Sequence, residues 1–285
     1  MDNSGHSPHP SSQVLTVITA NAGVQGYWAE LRRYRELFFL LVWRDLLVRY
    51  KQTLIGVAWA VLRPLVTVAV FSLVFGSLAK LPSSGDTPYV LMVFAGMLPW
   101  QFFATAFADA GGSVVTNGNI VSKVYFPRLL IPLSSIAVCL VDALVSAVIF
   151  VMLMLWYGVT PSATIIFLPL FMVWLCLFVL ATSVWVAALN VTYRDFRYVV
   201  PFLVQLGTYV SPVGFASTIV PEKWRWLYFL NPMAAIIDGF RFSLFGAGQP
   251  LDVRLLIAPL LLTLVILIPG LMFFRRTEDS FADRI

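Results

Sequence analysis

Between Ala143 and Tyr193 the chain runs for 51 residues without an Asp, Glu, Lys or Arg. Coiled at about 1.5 Å per residue, that run would reach roughly 77 Å. About 20 apolar residues suffice to cross the roughly 30 Å of a bilayer's hydrocarbon core. The run therefore predicts two spans, turning at Gly158-Val159-Thr160-Pro161-Ser162, where glycine and proline end helices. The rest of the 285-residue chain agrees, since 60% of it is apolar and only 12% charged. A soluble domain carries about 25% charged residues, and this chain could not build such an exterior. With a mean hydropathy of +0.87, the expected fold class is an all-α membrane protein.

Reading between charges gives six transmembrane helices: about Leu54 to Ala79, Tyr89 to Val115, Leu129 to Tyr157, Thr164 to Asn190, Val199 to Val220 and Leu255 to Phe274. An even number of crossings puts both ends on one side. Thirteen Lys and Arg fall on the side of the N-terminus and five on the other, with Arg63 inside the first span. The positive-inside bias then makes both termini cytoplasmic. Residues 1–26 read as a disordered cytoplasmic tail rich in Ser and Pro, and residues 27–285 as a single transmembrane domain. The tail holds no continuous apolar segment, so the first span is expected to direct insertion.

The only histidines, His6 and His9, lie in that tail. A Ser-His-Asp triad or an H-E-x-x-H zinc site needs imidazole from the folded part, so no catalytic residue and no metal site is expected. Cys139 and Cys176 each sit in an apolar stretch and read as small hydrophobes. No glycine precedes a lysine anywhere, which excludes the G-x-x-x-x-G-K-S/T phosphate loop on this chain. The net charge of +5 comes without a lysine-rich block. Orientation in a bilayer explains it better than nucleic acid does.

Two apolar stretches do not fit as spans. Tyr27 to Tyr50 has only seven uninterrupted apolar residues, Leu37 to Trp43, between Glu36 and Arg44. At about 100° per residue, Arg44, Asp45 and Arg49 fall within roughly 140° of one another, away from Phe38, Leu41 and Val42. An N-terminal amphipathic helix on the inner membrane surface is expected, with a cytosolic helix packed on other protein as the alternative. Pro221 to Pro250 breaks at Asn231-Pro232, then repeats Met233, Ile236, Ile237, Phe240 and Leu244 at helical spacing, with Asp238 and Arg241 three apart. A further crossing there would carry Arg275 and Arg276 outside. Two short re-entrant outer helices before the last span fit better. Their outer-gate candidates are Asn231, Pro232, Met233, Asp238, Phe240 and Arg241.

Arg63, Asp109 and Asp142 fall within or near the ends of spans, where an ionised side chain costs about 2.5–3.5 kcal/mol at the bilayer centre. Arg63 reads either as a pathway residue facing an anionic or hydroxyl-rich solute or as half of an interhelical pair. Aromatic residues make up 15% of the chain, and many sit at expected interfaces as a belt. Trp59, Phe102, Phe103 and Tyr209, with Trp100 beside them, either line a corridor for sugar C–H faces or pack the interior.

Six signatures in order then resemble one family. They are Arg49-Tyr50-Lys51-Gln52-Thr53-Leu54-Ile55-Gly56-Val57-Ala58-Trp59 with Pro64-Leu65; Gly96-Met97-Leu98-Pro99-Trp100-Gln101-Phe102-Phe103; and Asn119-Ile120-Val121-Ser122-Lys123-Val124-Tyr125-Phe126-Pro127-Arg128. Tyr193-Arg194-Asp195 with Tyr209-Val210-Ser211-Pro212-Val213 follows, then Asn231-Pro232-Met233 with Phe240-Arg241, and Phe281-Ala282-Asp283 closes the chain. From about Glu36 to Ile285 the sequence resembles the transmembrane subunit of the ABC-2 class of ABC transporters that export polysaccharides, of the O-antigen type. Arg63 departs from the pattern, since relatives usually carry a neutral residue there.

The resemblance implies a homodimer of this subunit bound to two copies of a separate ABC ATPase, which holds the ATP and Mg. It implies a lipid-linked polysaccharide as cargo and the bacterial inner membrane as location. Ile120, Val121, Lys123, Val124, Tyr125 and Phe126 would form the helix that couples to the ATPase. Two alternatives remain: an ABC-2 exporter of drugs or small lipids, and a membrane-embedded enzyme of glycan assembly. Against the enzyme stands the lack of histidine in the spans and of a clustered acidic pair.

Overall fold

The computed structural model describes residues 24–51, 62, 65–70, 73–74, 87–193, 195–246 and 251–284, which are mostly helical and include no strand. Most of the first expected span, with Trp59 and Arg63, lies outside the described residues, although residues 65–70 within it are helical. The expected helix at Tyr27 to Tyr50 is two helices, α1 (Val24–Arg33) and α2 (Arg35–Lys51), separated at Tyr34. Next come α3 (Tyr89–Thr116), the single turn α4 (Gly118–Val121) and α5 (Leu130–Trp156). A 3-10 turn, Ala163–Phe167, leads into α6 (Leu168–Thr192). After α7 (Phe196–Val210), α8 (Glu222–Tyr228) and α9 (Pro232–Phe245), the chain ends with α10 (Arg254–Thr277) and the short α11 (Phe281–Arg284). Among the described residues, four stretches are long and apolar enough to cross a membrane: Tyr89–Thr116, Leu130–Trp156, Ala163–Thr192 and Arg254–Ser280.

The axis of the bundle is α3, which packs against α5, α6, α7 and α9. Its buried Ala95, Gly96, Ala106, Ala110 and Gly111 supply the small surfaces that let helices close up where lipid gives no hydrophobic drive between them. Asn190 of α6 donates to the Gly111 carbonyl at 2.7 Å, a polar cross-tie inside apolar packing.

Two breaks read from the sequence have clear causes. Gly158 takes φ +68, and the amides of Gly158 and Val159 donate to the carbonyls of Leu155 and Met154. This Schellman pair closes α5 with a left-handed residue that glycine adopts freely. At the start of α9, the Asn231 side chain accepts from the Met233 amide at 3.0 Å while Pro232 fills the first turn.

The fifth expected span is corrected. Val199 to Val220 carries no charged residue, but α7 stops at Val210, residues 211–216 are not helical, and 217–219 form a 3-10 turn. Pro212 lacks an amide donor and turns Ser211 to extended geometry, φ −89 and ψ 148. The 15 residues of α7 rise only about 22 Å, less than a bilayer core.

Candidate functional site

At the pole carrying both described chain ends, a closed apolar cluster holds Tyr27, Leu41, Val121, Phe126, Phe274 and Phe281. It fixes the connection from α3 to α5. Within the expected coupling segment, Val121 and Phe126 point into this cluster, Ile120 is half-buried, and Lys123, Val124 and Tyr125 are exposed. The outward surface is therefore narrower than the sequence reading, because burying Val121 and Phe126 is what anchors the loop. Arg44 of α2 donates to Asn117 at 2.6 Å, just before α4, and pairs with Asp45. Tyr27 donates to Glu278 at 3.2 Å, and Arg275 lies 4.4 Å over its ring. Burial and the Glu278 charge hold the Tyr27 phenol well above its ordinary range, so it remains the donor at neutral pH.

One polar cluster joins three helices above this pole. Arg49, in the last turn of α2, meets Asp109 of α3 at 2.7 Å and Asp142 of α5 at 2.8 Å. Tyr50 also donates to Asp142, and the Cys139 thiol donates to Asp109 at 3.5 Å. Burial, followed by the bond to Asp142, pushes the Tyr50 phenol up to about 12. Asp109 and Asp142 were legible as in-span charges that require a partner; Arg49 was read only as part of a helix's polar face, Tyr50 only within the first signature, and Cys139 only as a small hydrophobe. The available signal was Arg49-Tyr50 in the first signature, one turn beyond Arg44 and Asp45.

At the opposite pole Arg241 is 1% exposed and grips the non-helical segment after α7. Its Nη1 donates to the Phe215 carbonyl at 2.9 Å, Nη2 to Val213 at 3.0 Å and Nε to Met92 at 3.3 Å. Asp238 lies 3.8 Å from Nη1 and accepts from Ser217. Asn231 donates to the Ser211 hydroxyl at 3.1 Å. A backbone freed from helical pairing must find donors inside apolar surroundings, and Arg241 supplies three. A Cβ at Gly96 would stand 2.7 Å from Arg241 Nη2 and 2.9 Å from the Val213 carbonyl, so this grip requires glycine on α3.

Five of the six outer-gate candidates, Pro232, Met233, Asp238, Phe240 and Arg241, are buried, and Asn231 is half-buried. Buried on every face against α3 and α6, α9 is no surface helix with one apolar stripe. Of the pathway candidates, Trp100, Phe102 and Phe103 belong to the chain's own core, with Phe103 stacked on Phe107 and Phe178. Packing is what their depth reflects. Tyr209, by contrast, is 72% exposed on α7. Among the described residues no group of His, Cys, Asp and Glu is arranged to hold a metal.

Such a bundle, with four helices long and apolar enough to cross a membrane among its described residues, has the build of a membrane-embedded protein. The model of the ABC-2 type transporter family matches residues 36–245. The chain belongs to that family. It is 29% identical over 250 residues to the O-antigen export system permease protein RfbA of Klebsiella pneumoniae, covering 87% of this chain and 94% of that protein. It is 28% identical over 258 residues to the RfbA permease of Myxococcus xanthus, covering 90% and 98%. It is 24% identical over 202 residues to the inner membrane transport permease YadH of Escherichia coli K12, covering 65% and 75%.

Proposed function

We propose that this chain is the transmembrane subunit of an ATP-driven exporter that moves lipid-linked polysaccharide of the O-antigen type across a bacterial inner membrane. The observation that carries the reading is its similarity, along 87–90% of its length, to proteins that export O-antigen. Two copies of this subunit assemble with two copies of a separate ATPase, which binds ATP and Mg. Six crossings with both ends in the cytoplasm complete the topology, the first span and α7, lengthened by the non-helical residues 211–216 that follow it, adding to the four long helices.

Several placements support this assembly. Val124 and Tyr125, more than half or nearly half exposed beside Lys123, form an apolar tip of the kind an ATPase groove accepts. Phe39, Leu40, Trp43 and Leu47 make an exposed apolar face on α2, suited to lying in the inner lipid surface while Arg44 and Arg49 turn toward protein. Tyr198, Phe202, Leu206 and Tyr209 are exposed along α7, and a corridor at a twofold interface would run beside them. The buried α9, reached through α8, is the re-entrant element that gates the exit.

Depleting the protein tests the reading. Export of polysaccharide requires finished lipid-linked polymer to accumulate inside the cell. Unfinished polymer would point to an assembly enzyme, and unchanged polymer with altered efflux of small lipids or drugs to the alternative exporter.

A further inference from the structure

The connection from α3 through α4 to α5 is a helical hairpin whose tip is the exposed Lys123 to Tyr125 segment. Asp109 stands on one limb and Asp142 on the other, and Arg49 of α2 lies between them with one Nη group on each carboxylate. Arg49 is therefore a bracket across the hairpin. It is not available as a ligand for an anionic cargo, because its guanidinium is already engaged by two carboxylates.

The same α2 is held at two lower points, by Leu41 in the cluster with Val121 and by Arg44 on Asn117. A displacement of the loop tip thus reaches α2 as well as both limbs. Interdigitated side chains resist sliding, whereas ion pairs can exchange partners when water is close. The side chains of Arg49, Asp109 and Asp142 are 31%, 43% and 30% exposed, which lowers the cost of breaking one pair while the other holds.

We propose that Arg49, with Asp109 and Asp142, is a positioning joint that converts movement of the loop tip into a change in the splay of α3 and α5. The inference rests on the exporter reading for what moves the tip, but the bracket itself is a property of this subunit. Spin labels at Thr116→Cys on α3 and Leu144→Cys on α5, with Cys139 and Cys176 replaced by alanine, read the splay in the purified subunit alone. Arg49→Glu is expected to broaden the distance distribution, and the exchange Arg49→Asp with Asp142→Arg to narrow it again. An unchanged distribution in Arg49→Glu, or no narrowing in the exchange, overturns the bracket whatever cargo is carried.

In the complex with its ATPase, Arg49→Glu is expected to assemble and permit ATP hydrolysis while polymer export falls about tenfold, and the exchange to recover it. Where Arg49→Glu does not reach the membrane, Asp142→Asn, which keeps the shape and loses one charge, is read in the same way. Wild-type export by these variants overturns the joint. Loss of ATPase binding in them also overturns it, because the cluster would then merely support the docking surface.

Discussion

Two arginines at opposite poles solve different problems. Arg241 is sealed inside and spends its donors on the carbonyls of Met92, Val213 and Phe215, backbone groups that a broken helix left without partners. Arg49 is about one-third exposed and pairs with carboxylates on two different helices. The first arrangement fixes one backbone path. The second allows partners to be exchanged. The difference teaches that a sealed charge is suited to holding a backbone path, and a partly exposed one to the joint proposed above.

The contrast is most open to attack at Arg241. Arg241→Ala leaves three buried carbonyls without their donor and Asp238 without its ion-pair partner, and a loss of about 3–5 kcal/mol is expected. Thermal unfolding of the detergent-solubilised subunit measures it, and Arg241→Lys should fail to restore stability because one ammonium cannot replace the planar fork on three carbonyls. A smaller loss, about 1–3 kcal/mol, is expected for Gly96→Ala, whose methyl would press on Arg241 and Val213. The same melts check it.

Arg49→Gln sharpens the comparison from the other side. Its partly exposed pairs are screened, so it should lower stability by only about 1 kcal/mol while reducing export per ATP hydrolysed. Equal destabilisation at both arginines would erase the distinction. The smallest stability effect, within about 0.5 kcal/mol, is expected for Val124→Asp with Tyr125→Asp on the exposed tip. Co-purification with the ATPase should nevertheless be lost in that double variant, since charge is placed in an apolar contact.

How far these features could be read from sequence follows from the range of the interactions. The charge-free run and Gly158 are local signals, and they yielded α5, α6 and the turn between them. Asn231-Pro232 is another, and it yielded the break at which α9 starts. The fifth span was overextended because apolar composition outweighed Ser211-Pro212, a break that hydropathy does not register. The Arg49 pairs were illegible because Asp109 lies 60 positions away, and only the packing of α2 on α5 brings the partners together. Likewise, the regular stripe of Met233, Ile236 and Phe240 looked amphipathic, yet small Ala234, Ala235 and Gly239 let the other faces of α9 pack as closely.

The most direct test of the proposed division of labour is glycan transfer into sealed proteoliposomes bearing this subunit with or without its ATPase. The expected result is ATP-dependent movement of lipid-linked polymer only when both proteins are present, and no nucleotide turnover by this chain alone. Hydrolysis or unaided transport by the lone subunit would contradict it.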